Sequence, residues 1–229
     1  MELPVNKFKH ALKAGKPQIG IWSSLSSHIV AEILSHSGID WVLLDTEHSP
    51  NELPMVQQQL HAMQGGTANP VVRVPWNDMV MIKRYLDIGS QTLLLPYVQS
   101  AEEAKNAVAY TRYPPHGVRG VAGATRAAGY GRIKDYFKRA QDELCLLVQV
   151  ETRKAMASIE AIAAVDGVDG VLGAEAHLLN GFDRPVRRLR AHTMRTRQGG
   201  HRHAHLVGVG GVLCGPDGPF LGPVQRLLD

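Results

Sequence analysis

Short apolar runs, each followed by an amphipathic stretch, recur in series along most of this chain, and no other feature restricts its fold so strongly. "QIGIW" leads into "SSHIVAEILSHSG", "WVLLDTE" into "NELPMVQQQLHAM", "PVVRVP" into "NDMVMIKRYLDIG", and "TLLLPYV" into "AEEAKNAVAYTRY". "GVRGVA" reads as a fifth strand ahead of "IKDYFKRAQDE", "LCLLVQVE" as a sixth ahead of "TRKAMASIEAIAAV", and "VDGVLGA" as a seventh. The strands are continuously apolar rather than alternating, which predicts parallel strands buried on both faces. The intervening stretches carry helical spacing. Asn51 is the expected N-cap of one helix, and Gly38 and Gly89 the expected ends of two others. Strand–helix units in series give an α/β fold, either an open doubly wound sheet or a closed (β/α)8 TIM barrel. No G-x-G-x-x-G turn follows the first strand, which removes support for the dinucleotide-binding sheet.

Charge and composition exclude several classes of function. The net charge of +4 would suit a nucleic-acid binder, but half of the sixteen arginines fall between Arg184 and Arg226. All nine lysines lie at or before Lys154, mixed with acids, so the body of the chain is nearly balanced and no nucleic-acid partner is expected. No apolar run approaches the roughly 18 residues of a membrane span. The opening "MELPVNKFKHALKAGKPQ" has no apolar signal core, and Cys145 and Cys214 make no disulfide framework. A cytoplasmic setting is expected.

Ionisable and polar residues gather where the strands end: Trp22 with Ser23 and Ser24, Asp45 with Glu47 and His48, Arg73, and Gln149 with Glu151. In a barrel these ends meet at one mouth, where active sites lie. Each residue also has a plainer reading. His48 would serve as a surface histidine, Arg73 as a structural ion-pair partner, and Glu151 as a cap for the helix that follows it. Together they bring a carboxylate, a guanidinium and an imidazole to three strand tips. That set suits holding a hard cation, clamping a carboxylate with a two-pronged fork, and moving a proton near neutrality.

Several longer motifs, "LLDTEHSPN", "PVVRVPWND", "IKRYLDIGSQTLLLPYVQSAEEA", "RYPPHGVRGVAG" and "LVQVETRKA", resemble the HpcH/HpaI family of metal-dependent, class II pyruvate aldolases. That family includes 4-hydroxy-2-oxoheptanedioate and 2-keto-3-deoxy-sugar-acid aldolases, and the match runs from about Pro17 to about Val171. The resemblance implies a (β/α)8 barrel, usually hexameric, that cleaves a 4-hydroxy-2-oxo acid to pyruvate and an aldehyde. It implies His48 in acid–base work with Asp45 as its supporting carboxylate, and Arg73 on the pyruvate carboxylate and C2 oxygen. It places Gln149, Trp22 and Ala174 against the substrate and Glu151 on a divalent metal (Mg²⁺, Mn²⁺ or Co²⁺).

The chain departs from the family near the seventh strand. Where the family reads "GVFIGPADL" this chain reads "GVLGAEAHLL". His177 holds the position of the second metal carboxylate, or Glu175 after a small shift, so a weakened metal site is expected. No lysine follows Lys154 and no glutamate follows Glu175, while Arg, His, Gly and Pro accumulate. The expected division is therefore an aldolase barrel over residues 1–175, with strands one to seven, and an atypical segment over 176–229 that leaves the barrel irregular at its C-terminal end. Out-of-frame translation of a GC-rich gene, or a degenerate end, would produce such a break. Within the segment "HLVGVGGVL" is a candidate eighth strand, and "HRHAH" reads as incidental rather than metal-binding. Two alternatives to an active aldolase remain at this stage: an impaired remnant that binds 2-oxo acids or oligomerises, and an acyl-CoA C–C lyase of the citrate or malyl type.

Overall fold

The computed structural model describes residues 1–173 and the backbone of 205–207 and 212–213. Six strands, β1 (Gln18–Ser23), β2 (Trp41–Asp45), β3 (Asn69–Arg73), β4 (Thr92–Leu95), β5 (Cys145–Val150) and β6 (Gly170–Gly173), pair in that order, all parallel. Between them run α2 (His28–Ser35), α3 (Leu53–Ala62), α4 (Met79–Asp87), α5 (Ala101–Thr111), α6 (Tyr136–Glu143), α7 (Arg153–Ala157) and α8 (Ile159–Ala163). The result is an α/β fold around a curved parallel sheet. Two short strands, β7 (His205–Val207) and β8 (Val212–Leu213), connect β6 back to β1. β7 runs parallel to β6, but β8 pairs antiparallel with both β7 and β1. The ring therefore closes through a short antiparallel strand, not through a further parallel βα unit. "HLVGVGGVL" supplies these two strands in place of the single one expected.

The sheet separates two apolar layers, and strand periodicity explains why. Val42, Leu44, Val72, Leu93, Leu95, Leu146, Val148 and Val171 face outward and pack under the helices. Trp41, Leu43, Val71, Leu94, Cys145, Leu147 and Leu172 face inward and fill the lower barrel. A helix that was not foreseen, α1 (Lys7–Lys13), plugs the bottom. Asn6 caps it by accepting from the Lys9 N–H, and Phe8 and Leu12, four residues apart, insert into the inward layer.

Three other expectations are corrected. "GVRGVA" is a loop, so β5 and β6 are the strands counted above as sixth and seventh. It runs without a sheet partner because Arg119 is buried over the Tyr113 ring, 4.5 Å from its centroid, and ion-pairs with Asp87 at 2.7 Å. The N-cap of α3 is Glu52, not Asn51, whose side chain instead accepts from Gln59. The helix expected to end at Gly38 stops at Ser35 with His36 as its C-cap.

Gly20 of β1 shows how tightly the inward face is packed. A Cβ there would lie 2.1 Å from Trp41 Cδ2 and 2.4 Å from the Trp41 carbonyl oxygen. Gly20→Ala is expected to cost about 2–3 kcal/mol, because backbone cannot yield as a flexible side chain can. The urea midpoint measures this, and an unchanged midpoint would contradict the packing.

Candidate active site

The inward-facing row of each strand begins apolar and ends polar. Trp41 and Leu43 lead to Asp45 on β2, Val71 to Arg73 on β3, and Cys145 and Leu147 to Gln149 and then Glu151 beyond β5. A period of two keeps these residues on one face, and the parallel order brings their C-terminal ends to one mouth. The β2–β3 register sets Asp45 directly beside Arg73.

Arg73 is the centre of the cluster. Its Nε and Nη2 donate to Asp45 Oδ1 and Oδ2 at 2.8 and 2.7 Å, a two-pronged pair that is almost fully buried. Trp22 covers the guanidinium, with Cζ 4.7 Å from its ring centroid, and donates its indole N–H to Asp45 Oδ2 at 3.3 Å. Asp45 thus holds both the fork and the ring that lies on it. Of the five guanidinium N–H groups, Asp45 occupies two and Glu47 Oε2 lies 2.8 Å from Nη1, so the remaining Nη N–H groups are the donors left for a substrate.

Burial pushes the Asp45 carboxyl upward, but the hydrogen bonds and charge of Arg73 outweigh it and hold the group below the usual carboxylate range. A depressed folded value means that Asp45 contributes stability fully above about pH 4, its unfolded value, and loses it as pH falls through the folded one. Asp45→Asn is therefore expected to flatten the acid limb of the stability curve below about pH 4 while lowering stability at pH 7. Thermal melts across that range check both signs. An unchanged acid limb would contradict the linkage.

Glu151 is held from two sides. Tyr97 donates its backbone N–H to Oε2 at 2.9 Å, and Gln149 Nε2 donates to Oε1 at 3.0 Å. Tyr97 adopts the left-handed region, with φ of 57°, to aim that N–H. The following helix is capped by Thr152, which accepts from the Ala155 N–H, so capping does not explain the orientation of Glu151. The Gln149 Oε1 atom is buried with no partner among the described residues.

His48 lies in the loop after β2, with 63% of its side chain exposed. Its backbone N–H donates to Asp45 Oδ1 at 3.4 Å, but its ring approaches Glu47: Nε2 lies 3.6 Å from Oε1. The structure therefore gives the Asp45 carboxylate to Arg73, and Glu47 to the His48 ring. Glu47 was not foreseen as a site residue. Its Oε2 also lies 2.8 Å from Arg73 Nη1. Burial raises its carboxyl above the usual value, against the pull of Arg73 and His48, and the neighbouring charges of Glu151 and Asp45 push in the same direction as burial.

Ala174, Glu175 and His177 lie outside the described residues, as do "HRHAH" and most of the segment after 175. Among the described residues no three His, Cys, Asp or Glu side chains are grouped closely enough to form a metal cage. No helix among them is long and apolar enough to cross a membrane.

The chain has relatives among known proteins. A pyruvate aldolase of Rhizobium etli is 56% identical over 185 residues, covering 81% of this chain and 73% of the relative. A 4-hydroxy-2-oxo-heptane-1,7-dioate aldolase of Salmonella dublin is 53% identical over 174 residues, covering 76% of this chain and 66% of the relative. The crystal structure of a HpcH/HpaI aldolase/citrate lyase family protein from Burkholderia cenocepacia superposes with a TM-score of 0.74 at 40% identity, over 76% of this chain and 70% of that one. The family model for HpcH/HpaI aldolase/citrate lyase matches residues 18–179, a few residues beyond the limit expected from the motifs and past Glu175 and His177. This chain belongs to the HpcH/HpaI aldolase/citrate lyase family.

Proposed function

We propose that this mouth cleaves a 4-hydroxy-2-oxo acid to pyruvate and an aldehyde. The observation that carries the reading is Arg73: a guanidinium locked by Asp45 and covered by Trp22, with free donors, on the inward face that also carries Glu151. Aldol cleavage transfers the electron pair of the C3–C4 bond to the 2-oxo carbonyl. A fixed positive charge whose donors meet the C2 oxygen and carboxylate stabilises the enolate as that charge develops. His48 takes the C4 hydroxyl proton, directly or through water, because its ring stands in the open mouth. Protonation of the enolate at C3 then yields pyruvate. Trp22 and Gln149 line the pocket beside the reacting atoms.

Glu151 fits one side of a divalent-cation site. Its carboxylate is oriented at the mouth, and Asp45, Glu47 and Glu151 against the single charge of Arg73 leave a surplus of negative charge when all are ionised. A cation there would supply Lewis-acid polarisation of the 2-oxo carbonyl. Mg²⁺, Mn²⁺ and Co²⁺ suit an oxygen-rich site, and a nitrogen from His177 would shift preference toward Co²⁺. The family resemblance further supports a homo-oligomer, a (β/α)8 parent architecture and a cytoplasmic setting. Pyruvate release from a 4-hydroxy-2-oxo acid, followed with a coupled lactate dehydrogenase assay, tests the reading. Release above the uncatalysed rate with added Mn²⁺ supports it, and the uncatalysed rate alone refutes it.

A further inference from the structure

We propose that Glu47 is a positioning residue whose one carboxylate bridges Arg73 and His48 and holds both in a single arrangement around the reacting 2-oxo acid. It rests on the aldol reading above and extends it to a residue with no role in that scheme. The two oxygens of Glu47 face different partners: Oε2 lies 2.8 Å from Arg73 Nη1, and Oε1 lies 3.6 Å from His48 Nε2. The carboxylate itself is largely enclosed, at 14% exposed, while the His48 side chain is 63% exposed. Among the described residues, Glu47 is the carboxylate that the ring approaches.

The contact with Arg73 has a second property. Among the described residues, Glu47 Oε2 makes no directed hydrogen bond although it approaches Arg73 Nη1 to 2.8 Å. It balances charge on the Nη1 side without taking an N–H from the substrate. Asp45 anchors the guanidinium by its other edge. Asp45 sets where the fork lies and accepts from the backbone N–H groups of Glu47 and His48, while the Glu47 carboxylate faces the His48 ring and sets where it lies relative to the fork.

A structural role for Glu47 predicts something different. A buried carboxylate stabilises a fold only where its partners outweigh the cost of its desolvation, and many buried pairs do not meet that condition. Here burial dominates and raises the carboxyl, so the ionised form opposes folding at neutral pH. Removing that charge should leave thermal stability unchanged or higher, while the placement of the proton-accepting histidine is lost.

The test is Glu47→Gln, with Asp45→Asn as the comparison, read in three ways on the whole chain. For Glu47→Gln the kcat of cleavage is expected to fall about 10–100-fold, the penalty of a misplaced group, with KM moving less than about threefold because Asp45 still holds Arg73. The thermal midpoint is expected to hold or rise. In ¹⁵N side-chain spectra, both the His48 ring and Arg73 guanidinium signals are expected to move in Glu47→Gln, whereas Asp45→Asn moves chiefly those of Arg73. An unchanged kcat with a lowered midpoint, or a His48 ring signal that does not respond to Glu47→Gln, overturns the proposal. If the unaltered chain shows no cleavage, the aldol reading fails, and the spectra still decide whether Glu47 bridges the two groups.

Discussion

Arg73→Ala is expected to reduce the exchange of pyruvate methyl protons with solvent deuterium by at least about 10²–10³-fold, the loss typical of a preorganised electrostatic donor. Exchange isolates enolate formation, so the result is independent of the aldehyde. The effect has two parts. The developing enolate loses the guanidinium, and Asp45, buried at the mouth, loses the partner that occupies both of its oxygens. Removing one member of a buried pair costs on the order of 3–5 kcal/mol of stability. Arg73→Lys separates the two parts. The ammonium keeps a charge near Asp45 but cannot form the fork, so the fold should persist while exchange stays low. Exchange at the unaltered rate in Arg73→Lys would remove the fork from the account.

Glu151→Gln is expected to abolish divalent-metal binding measurable by Mn²⁺ calorimetry and to reduce cleavage to the level of a chelator-treated sample. The substitution is nearly isosteric. The new side-chain oxygen still accepts from the Tyr97 N–H, so the loop after β4 has no reason to move. What disappears is the charge and the oxygen lone pairs that a hard cation requires. Unchanged Mn²⁺ affinity in Glu151→Gln would place the cation elsewhere, and full activity of the unaltered chain in chelator would end the metal-dependent reading.

The parts of this fold legible in the sequence are those that obey a period. Continuous apolar runs identified the parallel strands β1 to β6, but the burial expected of all of them fails for β1, where Ile19, Ile21 and Trp22 are exposed. Counting in twos from their apolar residues puts Asp45, Arg73, Gln149 and Glu151 on the face that looks into the barrel. Features without a period were not legible. Glu47 and His48 follow the last residue of β2, so no alternation tells which carboxylate reaches the imidazole. The pairing of Asp45 with Arg73 depends on the β2–β3 register, which brings together residues 28 positions apart. "GVRGVA" has the composition of a strand, but Arg119 is buried against Tyr113 and Asp87, and the Val118 and Arg119 N–H groups donate to the Ala109 and Arg112 carbonyls instead of to a strand. Helix α1 is short and carries three lysines, so its two inserted residues, Phe8 and Leu12, are too few to announce it. The same limit applies beyond Gly173, where the motif that would complete a metal site is altered.

The measurement that bears most directly on the central claim is proton NMR of pyruvate in D₂O with the unaltered chain, with Mn²⁺ present and with Mn²⁺ removed by chelator. An enolate-forming site at Arg73 and Glu151 predicts loss of the methyl signal well above the protein-free rate with the cation, a return to that rate in chelator, and loss near that rate in Arg73→Ala under either condition. Exchange that is the same with and without the cation, or that survives in Arg73→Ala, would contradict it.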